Sequence, residues 1–255
     1  MKFDEIAVVD SQTQLSEGIF DMWISTENVA KNAVPGQFIS VYTKDASKLL
    51  PRPISICEVS GNKLRIVYRV AGAGTAEFSA YSAGENIHIL GPLGNGFPLD
   101  NMEGKKAILI GGGIGIPPML ELAKSLKCDK EIVLGYRNSD TFLDKELSEY
   151  GNVTIASDDG SIGTHGTVID AIKANNITGD VIFTCGPTPM LRAIKAYAAE
   201  NNIEAWVSLE EKMACGIGAC LACVCKSTEV DDHSMVHNKR ICKDGPVFNA
   251  TEVDL

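Results

Sequence analysis

The stretch "KAILIGGGIGIPPML", residues 106–120, decides how this chain is read. "KAILIG" is a continuous apolar run of strand length. The segment "PPMLELAKSL" (117–126) is amphipathic and opens with proline near its first turn, which predicts a helix. A buried strand that turns through glycines into a helix is the repeating unit of an open parallel sheet. The unit recurs downstream. "EIVLGYR", "VTIAS", "DVIFTC" and "EAWVSL" are further strand-length apolar runs, with the helical segments "TVIDAIKAN" and "TPMLRAIKAYAAEN" between them. Residues 99–209 thus predict a doubly wound α/β domain with helices on both faces.

The glycines in the opening stretch also predict a ligand. Gly113 and Gly115 allow a backbone to approach a pyrophosphate, and the helix that follows offers free N–H groups and the positive end of its dipole. The pattern is G-x-G-x-x-P, with Pro118 where the dinucleotide fingerprint has its third glycine. A second turn, "CGPTPM" (185–190), likewise ends a strand and opens a helix, which adds Cys185, Gly186 and Pro187 to the candidate coenzyme site. At a third strand end, "SDDGSIG" (157–163), Asp158 or Asp159 is placed to accept from a ribose 2′-hydroxyl and to repel a 2′-phosphate. NAD is therefore expected rather than NADP.

Working outward toward the N-terminus, residues 1–98 show short alternating runs: "GQFISVYT", "KLRIVYRV" and "ENIHILGP". These predict antiparallel strands of a barrel or sandwich, with no helix of convincing period. "GPLGNGFPLDNMEGKK" (91–106) is the expected boundary. Within the β region, Arg52 of "RPIS" (52–55) carries a fork suited to pyrophosphate. Pro53 holds that segment extended, and Ser55 offers a small hydroxyl. In "YRVAGAGT" (68–75), Gly72 and Gly74 permit close backbone approach and Thr75 adds a donor.

Toward the C-terminus, residues 210–255 hold five of the chain's eight cysteines and little apolar content, so this tail needs a staple. "MACGIGACLACVC" (213–225) spaces Cys215, Cys220 and Cys223 as C-x4-C-x2-C, and Cys242 follows. That is the plant-ferredoxin ligand spacing for a [2Fe–2S] cluster. Zinc is the competing reading, but it normally uses two short C-x2–4-C pairs, and the tail has one. Cys225 is left outside the ligand set, since two positions beyond Cys223 in extended chain it has no evident role. The isolated Cys57 and Cys128 read as buried hydrophobes. His88, His165, His233 and His237 read as surface or hydrogen-bonded residues, and Glu210 with Glu211 as a solvated face.

Composition bounds the partners. The net charge of −10 excludes a basic face for nucleic acid or an anionic membrane. The N-terminus "MKFDEIAVVD" is no secretory signal, and no run is long enough to span a bilayer, so the expected location is the cytoplasm.

The order R-P-x-S, G-x-G-T, GPLGNGF, GGGIGIPP, CGPTPM resembles the ferredoxin–NADP reductase family over roughly residues 1–209. The resemblance implies an FAD-binding β-barrel at 1–98, an NAD-binding domain at 99–209 and, here, a [2Fe–2S] domain at 210–255. It implies that Arg52 contacts the FAD phosphates, that Pro53, Ile54 and Ser55 lie along the isoalloxazine, and that Arg69, Val70, Ala71, Gly74 and Thr75 line the rest. The chain departs from plant-type members in lacking a C-terminal aromatic after the nucleotide domain. With its tail "CGIGACLACVC…C…DGPVF" it resembles the branch of the family whose members serve pyrimidine biosynthesis. There the resemblance implies a heterotetramer, two subunits of each kind, with an FMN-containing partner that oxidises dihydroorotate. Electrons then pass through [2Fe–2S] and FAD to NAD⁺. Two alternatives stay open: the small subunit of another flavin/iron–sulfur complex, such as an NADH-dependent ferredoxin reductase or a hydrogenase, and a non-enzymatic redox-sensing or zinc-stapled module.

Overall fold

The computed structural model describes residues 1–230 and 235–255, and His233 lies outside them. Strands β1 (Phe3–Ser16), β2 (Ile19–Ser25), β3 (Phe38–Tyr42), β4 (Arg52–Ser60), β5 (Lys63–Arg69) and β6 (Asn86–Leu93) close into an antiparallel barrel in the order β1-β2-β5-β4-β3-β6. Alternation along each strand fills the barrel. Ile39 and Val41 of β3, Ile56 of β4, Leu64 and Ile66 of β5, and Ile87 and Ile89 of β6 are all buried in one core.

The expectation of no helix in this half is corrected. α1 (Val29–Asn32) and α2 (Ala73–Phe78) interrupt it. Helices of four and six residues are too short to show a 3.6-residue period. α2 instead begins from local bonding: Thr75 Oγ1 accepts from the amides of Ala71 at 2.9 Å and Gly72 at 3.2 Å.

The second half has strands β7 (Lys106–Gly112), β8 (Asp129–Tyr136), β9 (Asn152–Ser157), β10 (Thr164–His165), β11 (Val181–Cys185) and β12 (Glu204–Ser208). Among them lie helices α3 (Pro117–Ser125), α4 (Asp144–Leu147), α5 (Val168–Ala174) and α6 (Thr188–Asn201). The tail adds β13 (Val224–Ser227), β14 (Asn238–Arg240), α7 (Ile241–Asp244), β15 (Val247–Asn249) and β16 (Val253–Asp254). The main sheet runs β10-β9-β8-β7-β11-β12-β15 and is parallel except at its β15 edge. Along β7 the two faces alternate. Ile108 and Ile110 join the core under α5 and α6, while Ala107 and Leu109 join the core under α3.

The tail borrows its core. Cys223, Ile241, Cys242, Phe248, Ala250 and Val253 are buried in the same cluster as Ile108, Ile182 and Val207 of the sheet, and Phe38 and Leu93 of the barrel complete that cluster. Burying side chains of the Ile, Phe and Val class contributes about 1.5–3 kcal/mol each. The tail is thus packed in place by more than a staple. The segment predicted as a boundary is where the three parts meet. Gly94, at φ +72°, lies so close to the tail that a Cβ there would stand 2.4 Å from Pro246. The amide of Asn95 donates to the Gly245 carbonyl at 2.6 Å.

Candidate functional site

Three sets of residues converge around this junction. The first is the C-terminal edge of the parallel sheet, where a cleft of about 360 Å³ opens. Gly113, Asp158 and Pro187, each drawn from a different strand end, line it together with Arg69, Arg137 and Thr167. Gly113 takes φ +53° with open space around its missing side chain, as close backbone approach requires. Gly115 is placed differently: it is buried, and a Cβ on it would stand 2.4 Å from the Cys185 carbonyl oxygen. It lets the two glycine turns pack against each other. Cys185 and Gly186 are buried beneath the cleft rather than lining it. Burial, then the nearby Glu210, pushes the Cys185 thiol far up, so it stays protonated.

The choice between the two aspartates at the third strand end is made by a turn. Asp159 accepts from the amide and hydroxyl of Ser161 at 2.9 and 2.6 Å, which hold its carboxyl below the usual range, while Asp158 faces the cleft. Arg137 and Thr167 were not singled out from sequence. Arg137 sits one position past β8, and the strand-end rule applied to "EIVLGYR" would have found it. Thr167 caps α5, donating to and accepting from Asp170. Glu210, read from sequence as solvated, is open to water yet desolvated by the protein around it. That desolvation raises its carboxyl against the opposing pull of Arg69.

The second set lies on the barrel. β3 and β4 pair Phe38 with Ser55, Ile39 with Ile54, and Ser40 with Pro53. Ile39 points into the barrel core and Ile54 packs against it, so Pro53 and Ser55 face outward. Only the backbone of Ile54 is offered on that outer side. Arg52 lies across α2: a Cβ on Gly74 would stand 2.1 Å from its Nε. The Arg52 guanidinium thus lies over the first turn of α2, with its Nη1 donating to the Leu50 carbonyl. Thr75 is spent locally, its hydroxyl accepting the two turn amides and donating to the Gly72 carbonyl at 3.1 Å. Arg69, Val70 and Ala71 lead from β5 to this turn, and Arg69 also reaches the coenzyme cleft, which joins the two sites.

The third set is the cysteine loop. The four expected ligands stand as two pairs. Cys215 lies beside Cys220. Cys242 is paired with Cys223, whose Sγ accepts from the Cys242 amide at 3.4 Å. Burial opposes ionisation of Cys215, but the amides of Ile217 and Cys220, the Cys220 thiol and the amide of Ala219 hold it down at about 6. The Ile217 and Ala219 amides lie 3.5 and 3.3 Å from its Sγ. Burial, then the adjacent Cys223, pushes Cys242 up to about 12. The loop makes these bonds because Gly216 and Gly218 take φ of +67° and +86°. Two thiol pairs ringed by amides suit two bridged irons better than one tetrahedral ion. Cys225 is accounted for by packing. Its thiol donates to the Lys239 carbonyl at 3.5 Å and it lies against the shared core. His88 stacks on Tyr42 at 4.3 Å and pairs with Asp4.

Residues 210–254 match the model of the iron–sulfur cluster binding domain of dihydroorotate dehydrogenase B. A relative from Geobacillus sp. (strain WCH70), the electron transfer subunit of dihydroorotate dehydrogenase B (NAD(+)), is 43% identical, with 100% of each chain covered. The chain belongs to the family of dihydroorotate dehydrogenase B electron transfer subunits. The Listeria innocua serovar 6a member is 44% identical, with 97% of each chain covered. Among solved structures, that of the NADH-dependent reduced ferredoxin–NADP oxidoreductase superposes with TM-score 0.87 at 30% identity. That match covers 98% of this chain and 90% of the other. A ferredoxin NADP⁺ reductase from Neisseria gonorrhoeae shares the fold, with TM-score 0.64 at 15% identity over 78% of this chain and 91% of that one. As in the family, the chain is a flavin/iron–sulfur electron transfer subunit, and its catalytic partner is a separate subunit. Among the described residues no helix is long and apolar enough to cross a membrane.

Proposed function

We propose that this subunit conducts electrons between NAD, held in the cleft of the parallel sheet, and a catalytic partner reached through the cysteine loop. The observation that carries the reading is the junction itself. The paired cysteines, the outward-facing Pro53 and Ser55 and the coenzyme cleft adjoin one another through Ser40, Gly216 and Arg69. When bound, FAD exchanges two electrons with a nicotinamide and one at a time with a [2Fe–2S] cluster, so the three groups together convert between the two modes.

The chain's own residues bind and orient. Arg52 neutralises the FAD pyrophosphate, Pro53 and Ser55 present a flat outer surface to the ring, and Gly74 gives the guanidinium room. Gly113 and the following turn receive the coenzyme pyrophosphate, with Asp158 at its ribose. Cys215, Cys220, Cys223 and Cys242 would hold the cluster, and the amides of Ile217 and Ala219 donate to Cys215 Sγ. The partner carries FMN and oxidises dihydroorotate to orotate, in a cytoplasmic assembly of two subunits of each kind. The name that the relatives share supports the dihydroorotate-linked partner.

The test is purification with the partner. NAD⁺ reduction that depends on dihydroorotate, from a complex containing FMN, FAD and iron, is the expected result. A complex that ignores dihydroorotate and reduces ferredoxin instead would favour the second reading, a ferredoxin-linked flavin/iron–sulfur enzyme. That reading is kept because of the likeness to the NADH-dependent ferredoxin–NADP oxidoreductase.

A further inference from the structure

Ser40 occupies a position that its strand does not need. Its neighbours Ile39 and Val41 point into the barrel and fill its core, so Ser40 points out of the barrel. Yet it is only 1% exposed. Its hydroxyl has no hydrogen-bond partner among the described residues. A buried hydroxyl left without a partner is costly and is rare in folded proteins. The other such group, Thr184 Oγ1, lies on β11 between β7 and β12, in the middle of the parallel sheet.

What Ser40 faces is specific. A Cβ built on Gly216 would stand 2.9 Å from Ser40 Oγ and 3.2 Å from Leu93 Cδ1. Gly216 follows Cys215 directly, so the hydroxyl abuts the backbone of the cysteine loop. On the barrel side, the register partner of Ser40 is Pro53, in the middle of the flavin strip. Ser40 therefore stands between the two groups that the proposed function assigns to this junction. A hydroxyl brings one rotatable donor. The amides of Ile217 and Ala219 already donate to Cys215 Sγ. Hydrogen bonds to cluster sulfur favour the more negative, reduced state and raise the potential.

We propose that Ser40 Oγ–H donates to sulfur at the Cys215 end of the cluster and so raises its reduction potential. Ser40 is thus a potential-setting residue at the seam between flavin and cluster, and this inference rests on the cluster reading of the cysteine loop. The test is a redox titration of the full chain carrying FAD and cluster. The cluster is followed by electron paramagnetic resonance and the flavin by absorbance, in the wild type, Ser40→Ala and Ser40→Thr. Ser40→Ala is expected to shift the cluster's reduction equilibrium about tenfold toward the oxidised form, about 59 mV for one electron. Its iron content and its flavin potential stay as in the wild type. Ser40→Thr, which keeps the donor, restores the wild-type potential.

A merely structural serine predicts the opposite pattern, because deleting an unpartnered buried hydroxyl leaves stability unchanged or raised and the potential unmoved. An unchanged cluster potential in Ser40→Ala overturns the proposal, as does a shift confined to the flavin. A wild-type chain that holds no iron and sulfide overturns the cluster reading itself, which keeps the two failures apart.

Discussion

Replacing Arg65 by methionine should uncouple the barrel from the parallel sheet. Arg65 is 5% exposed and donates to Asp21 from Nε at 2.9 Å and from Nη2 at 2.8 Å. Its Nη1 reaches Glu58 of the barrel at 3.1 Å and Glu146 of α4 at 2.5 Å. Lys124 of α3 adds a bond to Glu58 at 2.7 Å, and Glu121 of α3 accepts from the Val59 amide at 2.7 Å. Strands β2, β4 and β5 are thereby tied to two helices of the other half. Methionine fills the stem's volume but leaves the Asp21 carboxylate, itself only 7% exposed, without its partner. Breaking a buried pair in this way costs about 3–5 kcal/mol. The Glu146 contact adds less than about 1 kcal/mol, since that side chain is 44% exposed. At roughly 2–4 °C per kcal/mol for a chain of this size, the melting temperature should fall by roughly 6–20 °C. The assay is urea unfolding followed by tryptophan fluorescence, because Trp23 lies in β2 and Trp206 in β12, one reporter in each half. Adding Asp21→Asn should recover part of the loss, so that the double variant costs less than the two single ones summed. A loss below about 1 kcal/mol, or strict additivity, would refute the reasoning.

Cys220→Ser should lose the cluster and electron transfer to the partner while NADH still reduces the flavin, and Cys225→Ala should keep full iron content; iron assays beside NADH–dye kinetics check both. Gly115→Ala drives a Cβ to 2.4 Å from the Cys185 carbonyl, and such overpacking costs about 1–3 kcal/mol; NADH binding should weaken by calorimetry while the visible cluster spectrum stays intact. Asp158→Asn removes a charge-assisted bond worth about 1.5–3 kcal/mol, so the KM for NADH should rise at least about tenfold and the bias against NADPH should shrink beside Arg137.

The parts most legible in the sequence were those that local rules govern. The buried parallel strands announce themselves as unbroken apolar runs, and the glycine turns mark where those strands end. The C-x4-C-x2-C spacing marks the tail that the iron–sulfur cluster binding domain model matches. What stayed illegible depends on contacts between distant residues or on elements too short for a period. β15 is three residues long, and its antiparallel pairing with β12 is a tertiary choice. α2 forms from the Thr75 cap, which depends on the turn that brings the Ala71 and Gly72 amides to its hydroxyl. Gly115 matched a phosphate-binding pattern, but its tight contact is with Cys185, seventy positions along the chain. Ser40 looked like any polar residue in an alternating strand, and its proximity to Gly216 exists only once the tail folds back on the barrel.

The central claim is that one chain holds FAD, a [2Fe–2S] cluster and an NAD site as a single electron path. The most direct measurement is anaerobic titration of the purified protein with NADH, with flavin, iron and sulfide quantified in the same sample. The account predicts iron and sulfide in the ratio of a [2Fe–2S] cluster together with FAD. The flavin bands should bleach as NADH is added, and a paramagnetic signal from the reduced cluster should follow. Zinc in place of iron, or a flavin that bleaches while an intact cluster never takes up an electron, would contradict it.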